Sequence, residues 1–195
     1  MASPPRILVF AGSLRRDSHN KKLARVAADA VRAAGGEATL VDLAELPMPL
    51  FDGDLEAADG LPEHAKTFKR LMTEHEGLLI STPEYNSSIP GVLKNVIDWA
   101  SRPEPGDRPL QAFDGKVAAL LAASPGALGG LRSLVTLRSI LGNIRVLVLP
   151  EQLAVGKAHE AFDEQGGLRD ARQRAIVEAI AKRLVTVVAS LRPVA

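Results

Sequence analysis

A chain of 195 residues with a formal net charge of +1 and 24% charged residues has the balance of an ordinary soluble globular protein, and nothing in it favours nucleic acid or an anionic membrane as partner. It contains no cysteine, which excludes disulfides, thiol catalysis and cysteine-held iron–sulfur clusters. No apolar run reaches membrane-spanning length and the amino end, from Met1 to Arg6, lacks a signal-peptide plan, so a single cytoplasmic domain over 1–195 is the expectation.

Ile7-Leu8-Val9-Phe10-Ala11 is a continuous apolar run, the pattern of a strand covered on both faces. The polar loop Gly12-Ser13-Leu14-Arg15-Arg16-Asp17-Ser18-His19-Asn20 follows. It enters a helix whose apolar face is Leu23, Val26, Ala27, Ala30, Val31 and Ala34, stopped by Gly35-Gly36. The loop suits a phosphate. Gly12 allows a tight turn and close approach, Ser13 and Ser18 offer hydroxyls, Asn20 an amide, Arg15 a guanidinium, and the helix amino end free N–H groups. It is neither a Walker loop nor Gly-x-Gly-x-x-Gly. Ser18 as a plain helix cap is compatible with the same reading.

Residues 38–43 read as the second strand. The connection 44–61, with Pro47, Pro49, Gly53 and Gly60, is long enough to suggest a lid or an interface element. Its acids Asp52, Asp54, Glu56 and Asp59 show no ligand spacing and read as a solvated face. Pro62 opens a helix with Ala65, Phe68, Leu71 and Met72 inward. His64 and His75 read as surface residues without a metal or triad motif.

Gly77-Leu78-Leu79-Ile80-Ser81-Thr82 is a third buried strand. It runs into Pro83-Glu84-Tyr85-Asn86-Ser87-Ser88, and Pro90-Gly91 punctuates the entry to a helix with Val92, Leu93, Val96, Ile97 and Ala100 on one face. A fourth strand over 116–123 ends in the small-residue loop Ser124-Pro125-Gly126-Ala127-Leu128-Gly129-Gly130, whose glycines would let a flat ligand lie against backbone. A helix with Leu131, Leu134, Val135 and Leu141 inward follows. The fifth strand covers 145–150, and the segment 151–167 after it is irregular. A last helix from about Leu168 has Ile176, Ala179, Ile180, Leu184, Val187 and Leu191 as its apolar face.

Buried strands alternating with helices predict a three-layer α/β fold: a five-stranded parallel sheet with helices on both faces. The flavodoxin-like order 2-1-3-4-5 fits this pattern and makes strands 1, 3 and 4 neighbours. The three polar loops then meet at one sheet edge. A phosphate-type pocket at the first loop, with flat polar walls from the other two, has the shape of a flavin mononucleotide site.

Three motifs carry a resemblance. They are Gly12-Ser13-Leu14-Arg15-x-x-Ser18-x-Asn20; Pro83-Glu84-Tyr85-Asn86-x-Ser88-Ile89-Pro90-Gly91-x-Leu93-Lys94-Asn95-x-x-Asp98-Trp99; and Ser124-Pro125-Gly126-x-x-Gly129-Gly130. In order and spacing they resemble the NADPH-dependent FMN reductase family, which includes quinone, chromate and azo-dye reductases. The resemblance spans Ile7 to about Leu149, and the second motif is the most specific. It implies that Ser13, Arg15, Ser18 and Asn20 hold the FMN phosphate. Pro83, Glu84, Tyr85 and Asn86 would line the ribityl chain and ring, and Ser124, Gly126 and Gly129 would close the ring's other side. It implies NADPH or NADH as co-substrate, a small-molecule electron acceptor such as a quinone, and self-association as a dimer or tetramer; Tyr85 and Trp99, at and after the second loop, are the expected interface aromatics. The cofactor carries the chemistry, so no catalytic side chain and no metal site is expected.

Two other readings use the same residues. One is a flavodoxin-like FMN electron carrier without turnover of its own, which the near-neutral charge weighs against. The other is a non-enzymatic interaction module that keeps the fold and takes up no flavin.

Overall fold

The computed structural model describes residues 3–192; Met1 and Ala2, part of the expected leaderless amino end, lie outside the described residues, as do the last three residues of the expected domain. The strands are β1 (Arg6–Ala11), β2 (Glu37–Val41), β3 (Gly77–Thr82), β4 (Val117–Ala123) and β5 (Leu147–Val155). The helices are α1 (His19–Ala33), α2 (Gly53–Asp59), α3 (Glu63–Glu74), α4 (Gly91–Ala100), α5 (Leu131–Asn143) and α6 (Ala171–Ser190), with a 3-10 turn at Leu43–Glu45. The sheet order is β2-β1-β3-β4-β5 and every pairing is parallel.

Every residue of β3 and β4 is buried, because helices cover both faces of the sheet. Alternation along β1 divides the core. Ile7 and Val9 pack with Leu23, Ala27 and Val31 of α1 and Ile180 and Leu184 of α6. Leu8 and Phe10 face the other way, among Phe68 of α3, Leu93 of α4 and Leu134 and Leu137 of α5. No helix of the described residues is long and apolar enough to cross a membrane.

Several expectations change. The connection 44–61, expected as a lid or an interface element, holds the end of the 3-10 turn and α2 and is pinned to α4. Asn95 Nδ2 and Trp99 Nε1 both donate to the Pro49 carbonyl, at 2.8 and 2.9 Å, and Phe51 N donates to Asn95 Oδ1 at 2.8 Å. Phe51 meets Trp99 edge-on at 5.0 Å. Trp99 is therefore fully buried within its own chain and cannot be an interface aromatic. His75 is buried too, its ring nitrogens within reach of the Leu71 carbonyl and Thr39 Oγ1 at 2.7 Å each.

β5 runs on to Val155, five residues past Pro150. Its register against β4 shifts between Ala118 and Leu120, so the proline falls in an irregularity of an edge strand where no ladder bond is lost. In α5 the inward residues are Ser133, Leu134, Leu137 and Leu141, while Leu131 and Val135 face out. In α6, Val177, Ile180, Ala181, Leu184, Val185 and Val188 face in, and Ala179 and Leu191 are exposed.

Candidate functional site

The carboxyl ends of β1, β3 and β4 are adjacent, and the residues that follow them border one open cleft. Arg15, Ser18, His19 and Asn20 form one wall, Pro83, Glu84 and Tyr85 another, and Ala123, Ser124 and Pro125 the third. Three loops expected to converge from sequence do so.

Ser18 caps α1: its Oγ accepts from Asn20 N at 3.2 Å. The other first-turn amides and the positive end of the helix dipole lie at the cleft. Ser13 is buried beneath the loop, its Oγ accepting from Arg15 N at 3.3 Å. Asp17 pairs with Lys22 at 2.8 Å, and that ion pair holds its carboxyl below the usual range. The exposed Arg15 guanidinium has no ion pair among the described residues. This end of the cleft is electropositive and unneutralised.

Asn20 has a different task from the one expected. Its Nδ2 donates to the Ala123 carbonyl at 2.8 Å, and its Oδ1 accepts from Ala123 N and from Ser81 Oγ at 2.9 Å each. The amide is a buried strut joining the ends of β3 and β4 to α1, so its oxygen and one N–H are committed away from a ligand. Gly12 is also structural. A Cβ there would meet Leu93 Cδ2 at 2.9 Å, so the glycine lets α4 pack against the first loop.

After β3 the chain makes a tight reversal. Tyr85 and Ser88 exchange backbone hydrogen bonds of 3.0 and 3.1 Å, with Asn86 and Ser87 at φ +50° and +66°, as a type I′ turn requires. Asn86 is at the tip of this turn and is absent from the cleft wall. Glu84 touches the cleft, but both its oxygens are held by Arg132 at the start of α5. Gly130, the cap residue of α5, offers no side chain, so Glu84 supplies the missing acceptor and negative charge.

Gly126 and Gly129 separate. Gly126 is exposed next to the lining residue Pro125, and a Cβ on it would meet only Ser124 Oγ, at 3.8 Å. Gly129 is buried at φ +62°, and a Cβ on it would lie 2.7 Å from the backbone of Ala154 and Gly156. Gly129 serves the fit of this loop against β5, not the cleft.

Sequence reasoning missed His19. Its ring is on the cleft wall, stacked on Phe162. Its place between Ser18 and Asn20, at the first turn of a helix that opens on a phosphate-type loop, is the signal that could have marked it.

The residues fit a flavin phosphate at one end of the cleft: a free guanidinium, a hydroxyl, and a helix amino end. The wall at Ala123–Pro125 and the Pro83 segment fit a flat ring at the other. Comparison with known proteins points the same way. Residues 5–160 match the family described as NADPH-dependent FMN reductase. The chain is 37% identical to an NAD(P)H-dependent FMN reductase of Pseudomonas aeruginosa, over 91% of this chain and 92% of that one. It is 35% identical to a 2-hydroxy-1,4-benzoquinone reductase of a Burkholderia species, over 84% and 85%. Among solved structures, the flavoenzyme NAD(P)H:(acceptor) oxidoreductase FerB from Paracoccus denitrificans superposes with a TM-score of 0.80 at 28% identity, covering 95% of this chain and 98% of that one.

Proposed function

This chain belongs to the NADPH-dependent FMN reductase family, and we propose that it is an FMN-dependent NAD(P)H oxidoreductase that delivers two electrons to quinones by a ping-pong sequence. The observation that carries the reading is Arg15, without an ion pair among the described residues, beside the capped amino end of α1 at one end of a cleft whose other walls come from the second and third loops.

When bound, FMN supplies the two-electron chemistry. The protein's part is to hold and orient. Arg15, Ser18 and the first-turn amides of α1 would hold the phosphate, and Pro83, Tyr85 and Ser124, with the exposed backbone of Gly126 beyond, would border the ring. Glu84, tied to Arg132, fixes the turn relative to α5. A flat nicotinamide and a flat quinone would use the open face in turn, so the first product leaves before the acceptor enters. Small acceptors such as azo dyes, chromate or free flavin are further candidates for the same face, and the cytoplasm is the expected compartment.

We propose self-association as well. Leu128, Leu131 and Val135 are all exposed, and Val135 is 62% exposed one turn beyond Leu131, on the helix whose Arg132 binds Glu84. An apolar stripe of this kind favours a second copy of the chain across α5, as a dimer or within a tetramer. Val135→Glu should lower the mass measured by light scattering; a wild-type monomer at micromolar concentration would end the idea.

The deciding experiment for the function is the visible spectrum of the purified chain with added FMN, followed by NADPH in the absence of air. Bleaching by NADPH and recovery on adding a quinone are expected, with parallel double-reciprocal lines in the steady state. A chain that binds no FMN would leave the interaction-module reading. Intersecting lines would reveal a second pocket.

A further inference from the structure

His19 is the first residue of α1 and lies on the cleft wall between the cap Ser18 and the strut Asn20. Its ring is nearly parallel to that of Phe162, 9° between planes and 6.1 Å between centroids, so the segment after β5 limits its rotation. Nδ1 is enclosed and meets no hydrogen-bond partner among the described residues; Nε2 is not enclosed in this way.

That difference selects a tautomer. A proton on Nδ1 would be a buried N–H with no acceptor, and such a donor bears its full desolvation penalty. The neutral ring is then better with its proton on Nε2 and a bare nitrogen inside. Charging the ring is opposed for the same reason, since both nitrogens carry protons in the imidazolium. Burial, then Lys22 on its own helix and Arg15 on the preceding loop, hold the group below the ordinary histidine range. His159 adds to this from the segment after β5, and only Asp17 acts in the opposite direction.

We propose that His19 is a phosphate-side ligand of the cleft, donating a hydrogen bond from a neutral Nε2–H to the anionic end of FMN. The inference rests on the flavin reading above and adds a ligand to it. Arg15 and the α1 dipole already bring positive charge to this end, so another donor needs none of its own. The stack on Phe162 holds the donor in place before the ligand arrives.

The test titrates the full chain, freed of flavin, with FMN and with riboflavin, which lacks the phosphate, by quenching of flavin fluorescence. His19→Phe keeps a flat ring on Phe162 and deletes the donor. His19→Gln puts an amide N–H near the position of Nε2, and His19→Asn near that of Nδ1. The expected result is FMN binding weakened about tenfold or more in His19→Phe, the usual scale for a hydrogen bond to a charged group. Riboflavin binding should be unchanged. His19→Gln should recover most of the loss and His19→Asn should not. Unchanged FMN affinity in His19→Phe, equal losses for the two flavins, or rescue by Asn alone would each overturn the proposal. Should His19→Phe fail to fold, nitrogen-15 shifts of the wild-type ring decide: a proton on Nδ1, or a charged ring at neutral pH, overturns it. A wild-type chain that binds neither flavin overturns the flavin reading itself.

Discussion

Glu84, in the loop after β3, and Arg132, in the first turn of α5, are joined at three points. Arg132 N donates to Oε2 at 3.0 Å, Nε to Oε1 at 2.7 Å, and the terminal guanidinium nitrogen lies 2.6 Å from Oε1. The carboxylate is largely buried while the arginine side chain is mostly exposed, so removing the two partners should not have equal effects. Glu84→Ala leaves the Arg132 amide at the start of α5 without an acceptor and should destabilise by about 1–2 kcal/mol in urea unfolding. Arg132→Ala keeps that backbone bond and should destabilise less. The double variant should fall short of the sum by at least about 0.5 kcal/mol; strict additivity would mean that the contact is not formed in solution.

Arg15 is the charged group with most to offer an anionic ligand, because Asp17 is taken by Lys22. Arg15→Ala should weaken FMN binding by about 1.5–3 kcal/mol, the range for hydrogen bonds to charged groups. Its effect on unfolding should be within about 0.5 kcal/mol, as for exposed substitutions generally. Calorimetric titration with FMN checks the first and urea unfolding the second; unchanged FMN affinity would remove Arg15 from the site.

The two glycines of the third loop should behave oppositely. Gly129→Ala adds a methyl 2.7 Å from backbone atoms at a positive φ, and neither clash can be relieved by a side-chain rotation. A loss of about 2 kcal/mol or more in stability is expected. Gly126→Ala meets only Ser124 Oγ at 3.8 Å and should be within about 0.5 kcal/mol of wild type. Its effect should appear in flavin affinity instead, since the methyl is added next to the lining residue Pro125. Thermal melts with and without FMN separate the two outcomes.

Lys116 gives the fold a pH dependence. It is buried at the sheet's amino edge, where Nζ donates to the His75 carbonyl, and burial pushes its pKa down to about 8 despite the nearby Glu76 carboxylate. In the unfolded chain the group keeps its ordinary value of 10.5. Between these two values the unfolded state binds more protons, so this group's contribution to stability rises with pH from about 8 to 10.5. Below pH 8 the penalty is fully present. Relief over the whole window is worth at most about 3 kcal/mol. Urea unfolding of wild type and Lys116→Met at pH 7, 9 and 10 should show wild type gaining on the variant as pH rises. A constant difference would mean that the lysine is solvated in the folded state.

Strand order and the three loops were legible because buried parallel strands leave uninterrupted apolar runs, and the runs at β1, β3 and β4 end in glycine, proline and hydroxyl residues. β5 was cut short because an edge strand tolerates Pro150, Glu151 and Gln152, which break the run without breaking the strand. α2 was missed although Asp52 caps it and Asp54 and Glu56 occupy its first turn, a standard start signal obscured by the surrounding prolines and glycines. The faces of α5 and α6 were misphased because both helices carry more apolar residues than one stripe can bury. In the site, composition identified the loops but not the direction of each side chain. Asn20 and Glu84 turn inward to hold backbone, and an unpartnered ring nitrogen on His19 leaves no trace in a one-dimensional pattern.

The strut between Asn20 and Ala123 joins residues 103 positions apart. Until β4 has docked beside β3, the first loop lacks the Ala123 end of that strut, and a chain still being synthesised carries Arg15 and Ser18 long before it carries the third wall. Such distant closures come at a cost in loop entropy that local contacts do not bear. A flavin cannot guide the early assembly of a cleft that does not yet exist. It binds the finished structure, so its kinetic signature should be slower unfolding of the loaded protein, with the refolding rate left as it is.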